Sequence, residues 1–510
     1  MAQEAPVVPS PAHRTDLRER IRRRLADETG RLVKEAPFTV ALTYPSPYGA
    51  AMSSLGFQRI YRAIMEAPGL ACERAFLDDE AENGDAAQQR PVTYESQRPL
   101  EDFPIIAVSV AYELEIAGFV RLLEAASIPA RRSERDGRHP FVLAGGPLTF
   151  SNPLPLAGIA DAVIMGEAEE LAITAITELE ACGGDRARQL AALAKLPHVF
   201  VPEIHGPILP TVAKASDAVL PAWAPIRTPH AVLADMFLIE TERGCSRACT
   251  YCVMRRSTNG GMRVASMERI LELIPPNARR VGLVGAAVSD HPRIAQIVDK
   301  LAESGREVGL SSLRPDRLGD ELVGALARAG YKTLTTAMDG PSERLRESLE
   351  RRARIRHLEK CAEMAKKHKM DRLKLYLMIG LPGETDTDID ECVAFTTELS
   401  RIIPVSLGIA PFCAKRNTPL DGAAFAGISL VQARLERLKR GLRGRADVRS
   451  TSAKWAWVEY VLAQGGEAEG LAVIDAVHAG GGFAAYKRAF GALEALSPKR
   501  ARRSLAIAAV

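Results

Sequence analysis

Short, continuous apolar runs alternate with stretches of helical spacing along most of this chain. Strands that are buried on both faces read as unbroken apolar runs, and parallel neighbours need a crossover, usually a helix, between them. The alternation therefore predicts an α/β protein built on parallel sheets. In the first third of the chain the predicted strands are 38–44, 105–110, 141–144 and 161–165.

These strands predict a doubly wound, Rossmann-like sheet over residues 36–204, preceded by an N-terminal arm, residues 1–35. Five prolines in residues 205–230 then predict a linker. Ligands of doubly wound sheets bind beyond the carboxyl ends of the strands. In this sheet those ends are Tyr44-Pro45-Ser46, Ala111-Tyr112, Gly145-Gly146-Pro147 and Gly166-Glu167.

A second series of strands and helices follows the linker. Its six predicted strands are too few for a closed eight-stranded barrel, so a partial (β/α)6 barrel is predicted over residues 231–427. The remaining residues, 428–510, are rich in arginine and alanine and predict a helical C-terminal region. The six strands are predicted at 236–242, 281–285, 308–313, 333–338, 373–379 and 405–410.

Composition excludes several classes of protein. Of the 510 residues, 47% are apolar and 25% are charged, which excludes collagen-like and disordered chains, and the net charge of +4 does not indicate a nucleic-acid or membrane partner. No apolar run is long enough for a membrane span, and the N-terminal sequence lacks the apolar region of a secretory signal. The eight cysteines do not form a disulfide pattern, so we expect a reducing, cytoplasmic location.

Three cysteines form a C-x₃-C-x₂-C motif directly after the first predicted barrel strand. Thiolates of Cys245, Cys249 and Cys252 are suited to three irons of a [4Fe–4S] cluster whose fourth iron stays open, so we predict these as the catalytic and metal-ligating residues. A structural zinc site needs four nitrogen or sulfur ligands, and no second Cys or His pair lies nearby. Cys413, at the end of the sixth strand, is either a radical-quenching or methyl-carrying thiol or a small apolar filler.

The cysteine motif, with Tyr251 just before its third cysteine, resembles that of the radical S-adenosylmethionine (radical SAM) superfamily over residues 237–419. The resemblance implies a partial barrel with its cluster loop after the first strand. It implies that the open iron binds the amino and carboxylate groups of S-adenosylmethionine (SAM). One electron from the cluster would then split SAM into methionine and a 5′-deoxyadenosyl radical that abstracts hydrogen from a substrate. An electron donor such as flavodoxin or ferredoxin is an implied partner.

The resemblance also implies that strand ends on one rim of the barrel bind SAM. Glycines after the second strand match a segment near the amino group of SAM, but the family's glutamate is missing there, so backbone carbonyls would have to replace it. The end of strand three is implied for ribose or carboxylate, an acidic residue and S-x-R-L-R follow strand four, and the strand-five backbone would bracket adenine. The implied cofactor-binding residues are Tyr251, Gly282, Gly285, Ser311, Ser312, Arg314, Asp339, Ser342, Arg344, Ile379 and Gly380.

The N-terminal segment resembles the cobalamin-binding-type domain that precedes the barrel in one class of radical SAM proteins. The chain is similar to an uncharacterised branch of that class, in which a P-F-x-x-K-x-x-T-P stretch, here 411–419, recurs. A D-x-H-x-x-G loop is absent, so a bound cobalamin would have no protein histidine on cobalt. The alternative is a sheet without a corrinoid that serves as a substrate or docking domain.

Three functions remain open. The first is a radical SAM enzyme acting on a small molecule or a peptide, with or without cobalamin-dependent methyl transfer. The second is a tRNA- or RNA-modifying methylthiotransferase or methylase, suggested by the arginines of the C-terminal region, although leucines between them favour a packed amphipathic helix. The third is a non-catalytic iron–sulfur or zinc-binding protein.

Two polar groups near the motif have alternative interpretations. Arg243 and Arg247 flank the cysteines and are candidates for tuning the cluster or for docking an acidic electron donor. Asp290 either faces the pocket or, as the favoured interpretation, caps a helix and leaves His291 exposed.

Overall fold

The computed structural model describes residues 16–79, 90–254, 261–311 and 313–496. Ser312, one of the predicted cofactor-binding residues, lies outside the described residues, as do the first 15 residues of the predicted N-terminal arm.

The N-terminal part contains a six-stranded sheet in the order β2-β1-β3-β4-β5-β6. The first five strands are parallel and β6 is antiparallel to β5. The four predicted strands are confirmed as β1, β3, β4 and β5, whereas β2 escaped prediction because Glu73 and Arg74 interrupt its apolar run. The strands are β1 (Phe38–Pro47), β2 (Leu70–Leu77), β3 (Ile105–Ser109), β4 (Phe141–Gly145), β5 (Ala162–Ile164) and β6 (Val199–Phe200).

Helices cover both faces of this sheet, as the doubly wound prediction requires. Ser54 begins α3 by accepting a hydrogen bond from the Phe57 N–H (3.3 Å), and one side of that helix packs on the sheet. Helix α4 packs on the opposite face through Ile116 and Phe119. The helices of this part are α1 (Leu17–Ala26), α2 (Tyr48–Ala51), α3 (Leu55–Glu66), α4 (Glu115–Ala125), α5 (Leu171–Ala181), α6 (Arg186–Leu193) and α7 (Pro202–His205).

The middle part contains seven parallel strands in two sheets, β11-β10-β7 and β12-β13-β14-β15, and an antiparallel ribbon of β8 and β9. Between the two sheets, Thr336 Oγ1 donates a hydrogen bond to the Leu313 carbonyl (2.7 Å). The strands are β7 (Met236–Glu240), β8 (Glu242–Gly244), β9 (Met262–Val264), β10 (Arg280–Val284), β11 (Glu307–Leu310), β12 (Thr333–Asp339), β13 (Arg372–Ile379), β14 (Val405–Pro411) and β15 (Ala446–Ser450).

All six predicted barrel strands are present, and β15 adds a seventh inside the region predicted to be helical. Its sequence, Ala-Asp-Val-Arg-Ser, lies at the sheet edge with alternate residues exposed, so it has no apolar run that would reveal a strand.

Amphipathic helices cover the outside of the barrel and share one core with the outward-facing strand residues. The last of them, α14, carries the basic residues that suggested RNA binding, but two of its arginines pair with acids: Arg434 with Glu384, just before α13 (2.9 Å), and Arg437 with Asp390 of α13 (2.7 Å). These helices are α8 (Met267–Leu273), α9 (Ile294–Glu303), α10 (Asp320–Arg328), α11 (Glu343–Ser348), α12 (Ile355–Lys367), α13 (Asp386–Ile402) and α14 (Ile428–Gly441).

The last three helices return to the N-terminal sheet. Val458 and Val473 lie in the same core as Phe119 of α4. The Asn152 side-chain amide donates hydrogen bonds to the carbonyls of Leu462 (3.1 Å), Ala463 (3.0 Å) and Gly465 (2.9 Å). The helices are α15 (Ala453–Gln464), α16 (Glu467–His478) and α17 (Phe483–Leu496). Within the described ranges, no helix is long and apolar enough to cross a membrane.

Candidate active site

The three motif cysteines lie in the segment that follows β8. Cys249 is buried, Cys245 and Cys252 are half-buried, and all three are free thiols. Burial raises the pKa of each thiol, that of Cys252 to about 11, and the nearby cysteines contribute to the increase at Cys249 and Cys252. Three neighbouring thiolates at this place therefore need a cationic group to balance their charge.

The donor set fits an iron–sulfur cluster better than a single ion. Among the residues that the structure describes, no three His, Cys, Asp or Glu side chains converge as one metal ion requires. A structural zinc ion needs four such ligands around one centre, whereas cysteines that bind a [4Fe–4S] cluster attach to different irons of a larger body.

An ion pair between Asp339 and Arg351 lies beside the cysteine loop. Although burial opposes it, the Asp339 carboxylate raises the pKa of Arg351, and the guanidinium charge acts on Cys249 and Tyr251. The Thr250 N–H donates to the Leu349 carbonyl (3.1 Å), which attaches the arginine's segment to the cysteine loop. The structure thus brings predicted Asp339 to the cysteines, together with Arg351, which sequence analysis missed because it stands in an arginine-rich run typical of a surface.

A buried glutamate of β8 reaches Gly285, directly after the second barrel strand, β10. Glu242 is 1% exposed, its Oε1 accepts a hydrogen bond from the Ala287 N–H (2.7 Å), and its Oε2 has no hydrogen-bond partner among the described residues. Burial raises the pKa of Glu242 to about 8. A side chain on Gly285 would overlap this carboxylate, and one on Gly282 would meet Leu238 at 2.6 Å. Glu242 was not predicted as a site residue, because the family's glutamate is expected at the second strand and Glu242 precedes the cysteines on β8.

At the end of the third barrel strand, one residue is hydrogen-bonded to the end of the second strand and another pairs with acids of the rim. Ser311 Oγ donates to the Gly285 carbonyl (3.0 Å) and accepts from the Gly285 N–H (3.1 Å). Arg314 forms ion pairs with Asp290 and with Asp316 (2.7 Å). Both predicted residues therefore lie in the hydrogen-bond network of the rim.

Asp290 connects this network to the cysteine loop, because it accepts a hydrogen bond from Ser246 Oγ (3.0 Å). The prediction that Asp290 caps a helix is wrong, since α9 begins after Arg293. His291 was expected to be exposed, but it is buried and its Nε2 contacts the Ala265 carbonyl at 2.9 Å.

Ser342 and Arg344 meet at Asp388, at the start of α13. Ser342 Oγ accepts a hydrogen bond from the Leu345 N–H, which begins α11, and donates to Asp388 (2.6 Å). Arg344 pairs with the same carboxylate (2.6 Å). These side chains therefore fix α11 against α13.

The predicted adenine-binding backbone at the end of β13 is tied into the fold. The Ile379 carbonyl accepts from the Phe412 N–H (2.8 Å), and the Gly380 N–H donates to Glu384 Oε1 (3.0 Å). Gly380 has a φ of +84°, which a glycine adopts without strain.

A cavity of about 480 Å³ opens beside the cysteine loop. Its wall combines Tyr251 of that loop, Tyr112 after β3, and Trp455 and Glu459 of α15. A second cavity of about 390 Å³ continues into the barrel and shares Met378, Ala410 and Thr451 with the first. We call the two together the chamber; each has a volume typical of a small-molecule site.

Charged residues from three parts of the chain meet at the chamber wall. Lys415 after β14 pairs with Glu113 of the N-terminal part (2.6 Å) and Glu459 of α15 (2.7 Å). Cys413 is half-buried in the same wall and its Sγ donates to the Ala456 carbonyl (3.1 Å). Burial raises the pKa of Cys413, which disfavours a thiolate there.

Two strand ends of the N-terminal sheet, those of β4 and β5, are filled by protein. A side chain on Gly146 would lie 2.7 Å from the Val110 carbonyl oxygen, and one on Gly166 would lie 2.6 Å from that of Ala213. Glu167 is paired with Arg263 and Arg243. At the ends of β4 and β5 these contacts leave no open surface for a ligand.

The two flanking arginines are engaged within the chain. Arg243 is half-buried and pairs with Glu167, Glu169 (2.7 Å) and Glu240 (2.7 Å), and Arg247 pairs with Asp316. Arg243 is therefore a bridge between the N-terminal sheet and the barrel.

Two family models match the chain. The model for the N-terminal region of radical SAM proteins matches residues 56–202, and the model for the radical SAM superfamily matches residues 239–396. An uncharacterized protein of Methanocaldococcus jannaschii is 25% identical over 394 residues, which are 76% of this chain and 80% of that protein.

Solved structures show a similar arrangement of elements. The apo form of the cobalamin-dependent SAM radical enzyme OxsB is similar with a TM-score of 0.51 at 12% identity, over 80% of this chain and 56% of that one. Its aqua-cobalamin-bound form has a TM-score of 0.48 at 13% identity, with the same coverage. The chain thus spans little more than half the length of that enzyme, and the likeness concerns the fold.

Proposed function

We propose that this radical SAM enzyme, which carries the superfamily's N-terminal domain, cleaves SAM reductively at the cysteine loop and acts on a small molecule or a peptide in the chamber. The observation that carries the proposal is the position of three free cysteines on one loop, beside a cavity of about 480 Å³ whose wall contains Tyr251 of that loop. A [4Fe–4S] cluster and SAM are the cofactors that the superfamily implies.

A cluster held there would supply the electron for reductive cleavage of SAM to methionine and a 5′-deoxyadenosyl radical. Cys245, Cys249 and Cys252 would hold the cluster, and Arg351 would place a positive charge next to it. We propose that the unpaired Oε2 of Glu242 accepts a hydrogen bond from the amino group of SAM, with Gly282, Gly285 and Ser311 lining the same place.

We propose supporting roles for the other rim residues. Arg314, Ser342 and Arg344 would hold the rim in shape through Asp290 and Asp388. Asp339 would position Arg351 and Tyr251, and the backbone of Ile379 and Gly380 would border adenine.

Anaerobic reconstitution tests the proposal. We expect about four irons and four sulfides per chain, and 5′-deoxyadenosine on addition of SAM and a reductant. Replacing Cys245, Cys249 or Cys252 by alanine should remove both signals, whereas Cys182→Ala, at the end of α5, should retain them. Production of 5′-deoxyadenosine by the triple cysteine variant would overturn the assignment, and a cluster without SAM cleavage in the wild type would favour a non-catalytic iron–sulfur protein.

An RNA substrate is the second candidate. Its support, the basic α14, is weakened because Arg434 and Arg437 have acidic partners within the chain, Glu384 and Asp390. Copurifying tRNA, released steeply with salt, would reverse this preference.

We infer that the N-terminal domain serves the chamber through Tyr112 and Glu113 and does not hold a corrinoid, because the ends of β4 and β5 are occupied by backbone and ion pairs and the end of β3 faces the chamber. Saturating cobalamin should leave no corrinoid absorption on the desalted protein. A stoichiometric corrinoid spectrum would instead support cobalamin-dependent methyl transfer.

We propose a flavodoxin or ferredoxin as the electron donor and a cytoplasmic location. The eight cysteines, all free, are consistent with a reducing compartment. Reduction of the cluster by one of these donors, followed by absorption, checks the first part of the proposal.

A further inference from the structure

Three strands of the larger barrel sheet build a layered inner surface. Parallel pairing puts Lys374, Ser406 and Asp447 in one layer and Tyr376, Gly408 and Arg449 in the next. The intervening leucines of β13 and β14 lie in the outer core with the helices, so the layered residues face the lumen. The lumen is therefore polar and aromatic on this side.

Lys374 is a cation without an anionic partner. Among the described residues no carboxylate or hydrogen-bond acceptor pairs with its ammonium, which lies 4.8 Å from the centroid of the Tyr376 ring. The Tyr376 ring lies one layer nearer the end of the barrel that carries the cysteine loop. The lysine side chain therefore extends along the lumen toward that end. This half-buried ammonium is therefore open to an anionic partner from outside the chain.

Tyr376 provides an open aromatic surface beside this charge. The residue is 46% exposed although its strand lies in the middle of the sheet. A side chain on Gly408 would lie 2.6 Å from the ring, so the glycine is what lets the ring lie against β14. The ring and Lys374 both line the barrel part of the chamber.

A second cation comes from the edge strand. Arg449 of β15 lies in the same layer as Tyr376 and is 81% exposed. Its one described carboxylate partner is Asp447, at 3.1 Å. Asp339 also lines this cavity but is paired with Arg351, so the unpaired Lys374 leaves this part of the lumen with a net positive charge.

We propose that Lys374 and Arg449 bind an anionic oxygen group of the substrate, a carboxylate or a phosphate, while Tyr376 contacts a planar or apolar part of the same molecule. The inference rests on the proposed function, because it takes the chamber as the substrate site. Lys374 precedes Met378, at the cysteine end of the chamber, by four residues, or roughly 13 Å along an extended strand. The site is therefore distinct from the rim where SAM would bind.

Binding of small probes to the reconstituted wild-type enzyme, without SAM, tests the inference. Phenyl phosphate and benzoate carry the two anionic groups on a planar ring, and benzylamine and benzyl alcohol are the cationic and neutral controls. We expect calorimetry to show binding of at least one anionic probe and a raised melting temperature, with neither effect from the controls. The stronger anion identifies the group that the site prefers.

Lys374→Met should weaken that binding by about tenfold or more, since it removes a charge-assisted contact. Arg449→Met should weaken it less, and Lys300→Met, an exposed lysine on α9, should leave it unchanged. Equal affinity in Lys374→Met and Lys300→Met, no binding of either anion, or equal binding of benzylamine would overturn the inference. Wild-type SAM cleavage without any probe tests the proposed function separately, so the two can fail independently.

Discussion

Replacing Glu242 by glutamine gives a strong test of the buried carboxylate at the rim. The pKa of Glu242 rises from 4.5 to about 8 because burial penalises its charge. The folded protein therefore binds the Glu242 proton more tightly than the unfolded chain does. The ionised carboxylate lowers the free energy of unfolding: this loss is absent below pH 4.5, grows as the pH rises to about 8, and is constant above that. At about 1.36 kcal/mol per pH unit, the full penalty approaches about 5 kcal/mol.

Glutamine keeps the oxygen that accepts from Ala287 but has no charge to bury. We therefore expect Glu242→Gln to have nearly the same melting temperature as the wild type near pH 5 and a higher one at pH 9. For a domain of this size, the difference at pH 9 should approach roughly 10–20 °C. The assay is thermal unfolding of the SAM-free protein across that range, with the exposed Glu303→Gln as the control.

The reasoning also predicts an effect of SAM. Its ammonium group would pair with the Glu242 carboxylate, so SAM should raise the melting temperature of the wild type at pH 8 by more than that of Glu242→Gln. Melting curves of the two proteins that stay parallel from pH 5 to pH 9 would refute the burial argument. Equal stabilisation by SAM would refute only the assignment to the amino group.

Three further predictions concern single residues. Arg351→Gln removes a positive charge beside the cysteine loop and should make the reduction potential of the cluster more negative in an EPR-monitored titration; Arg351→Lys should retain most of it, and an unchanged potential would exclude the electrostatic role. Asn152→Ala removes three hydrogen bonds and should lower stability by about 2–3 kcal/mol, seen as faster proteolytic release of α15–α17; an unchanged rate would contradict this. Gly146 has a φ of +104°, and the Cβ of an alanine there would lie 2.7 Å from the Val110 carbonyl oxygen. Gly146→Ala should therefore lower the free energy of unfolding by about 1–3 kcal/mol, whereas Gly137→Ala, in open space, should be neutral.

Much of the fold follows from apolar runs. The ten strands that the sequence predicts are present. Each is buried by helices on at least one face and therefore has an unbroken or alternating apolar sequence. The exceptions are informative: β2 contains Arg74, whose charge is matched by Glu28 (2.8 Å) and Glu95 (2.7 Å), both distant in sequence. The edge strand β15 is paired on one side and exposed on alternate residues, so its backbone pairing is invisible in composition.

The candidate site, too, is only partly predictable from the sequence. The cysteine spacing is local, so it predicts a cluster loop, and Asp339 is brought to that loop. Glu242, Arg351, Lys374 and Trp455 were missed because their importance depends on which residues the fold places opposite them. Isolated residues of this kind follow no periodic pattern in the sequence, and only the assembled site distinguishes them from surface residues.

The return of α15–α17 to the N-terminal sheet has a consequence for synthesis. The apolar surface around Phe119 is complete once residue 200 has been made, but its partners, beginning near Val458, emerge about 250 residues later. At about 5–20 residues per second, that surface stays uncovered for roughly 12–50 s while the barrel is being translated. The nascent chain should therefore engage a chaperone at this face. When β14 has been made, the chamber still lacks the α15 wall, which leaves the cysteine loop accessible to the donors of iron and sulfide.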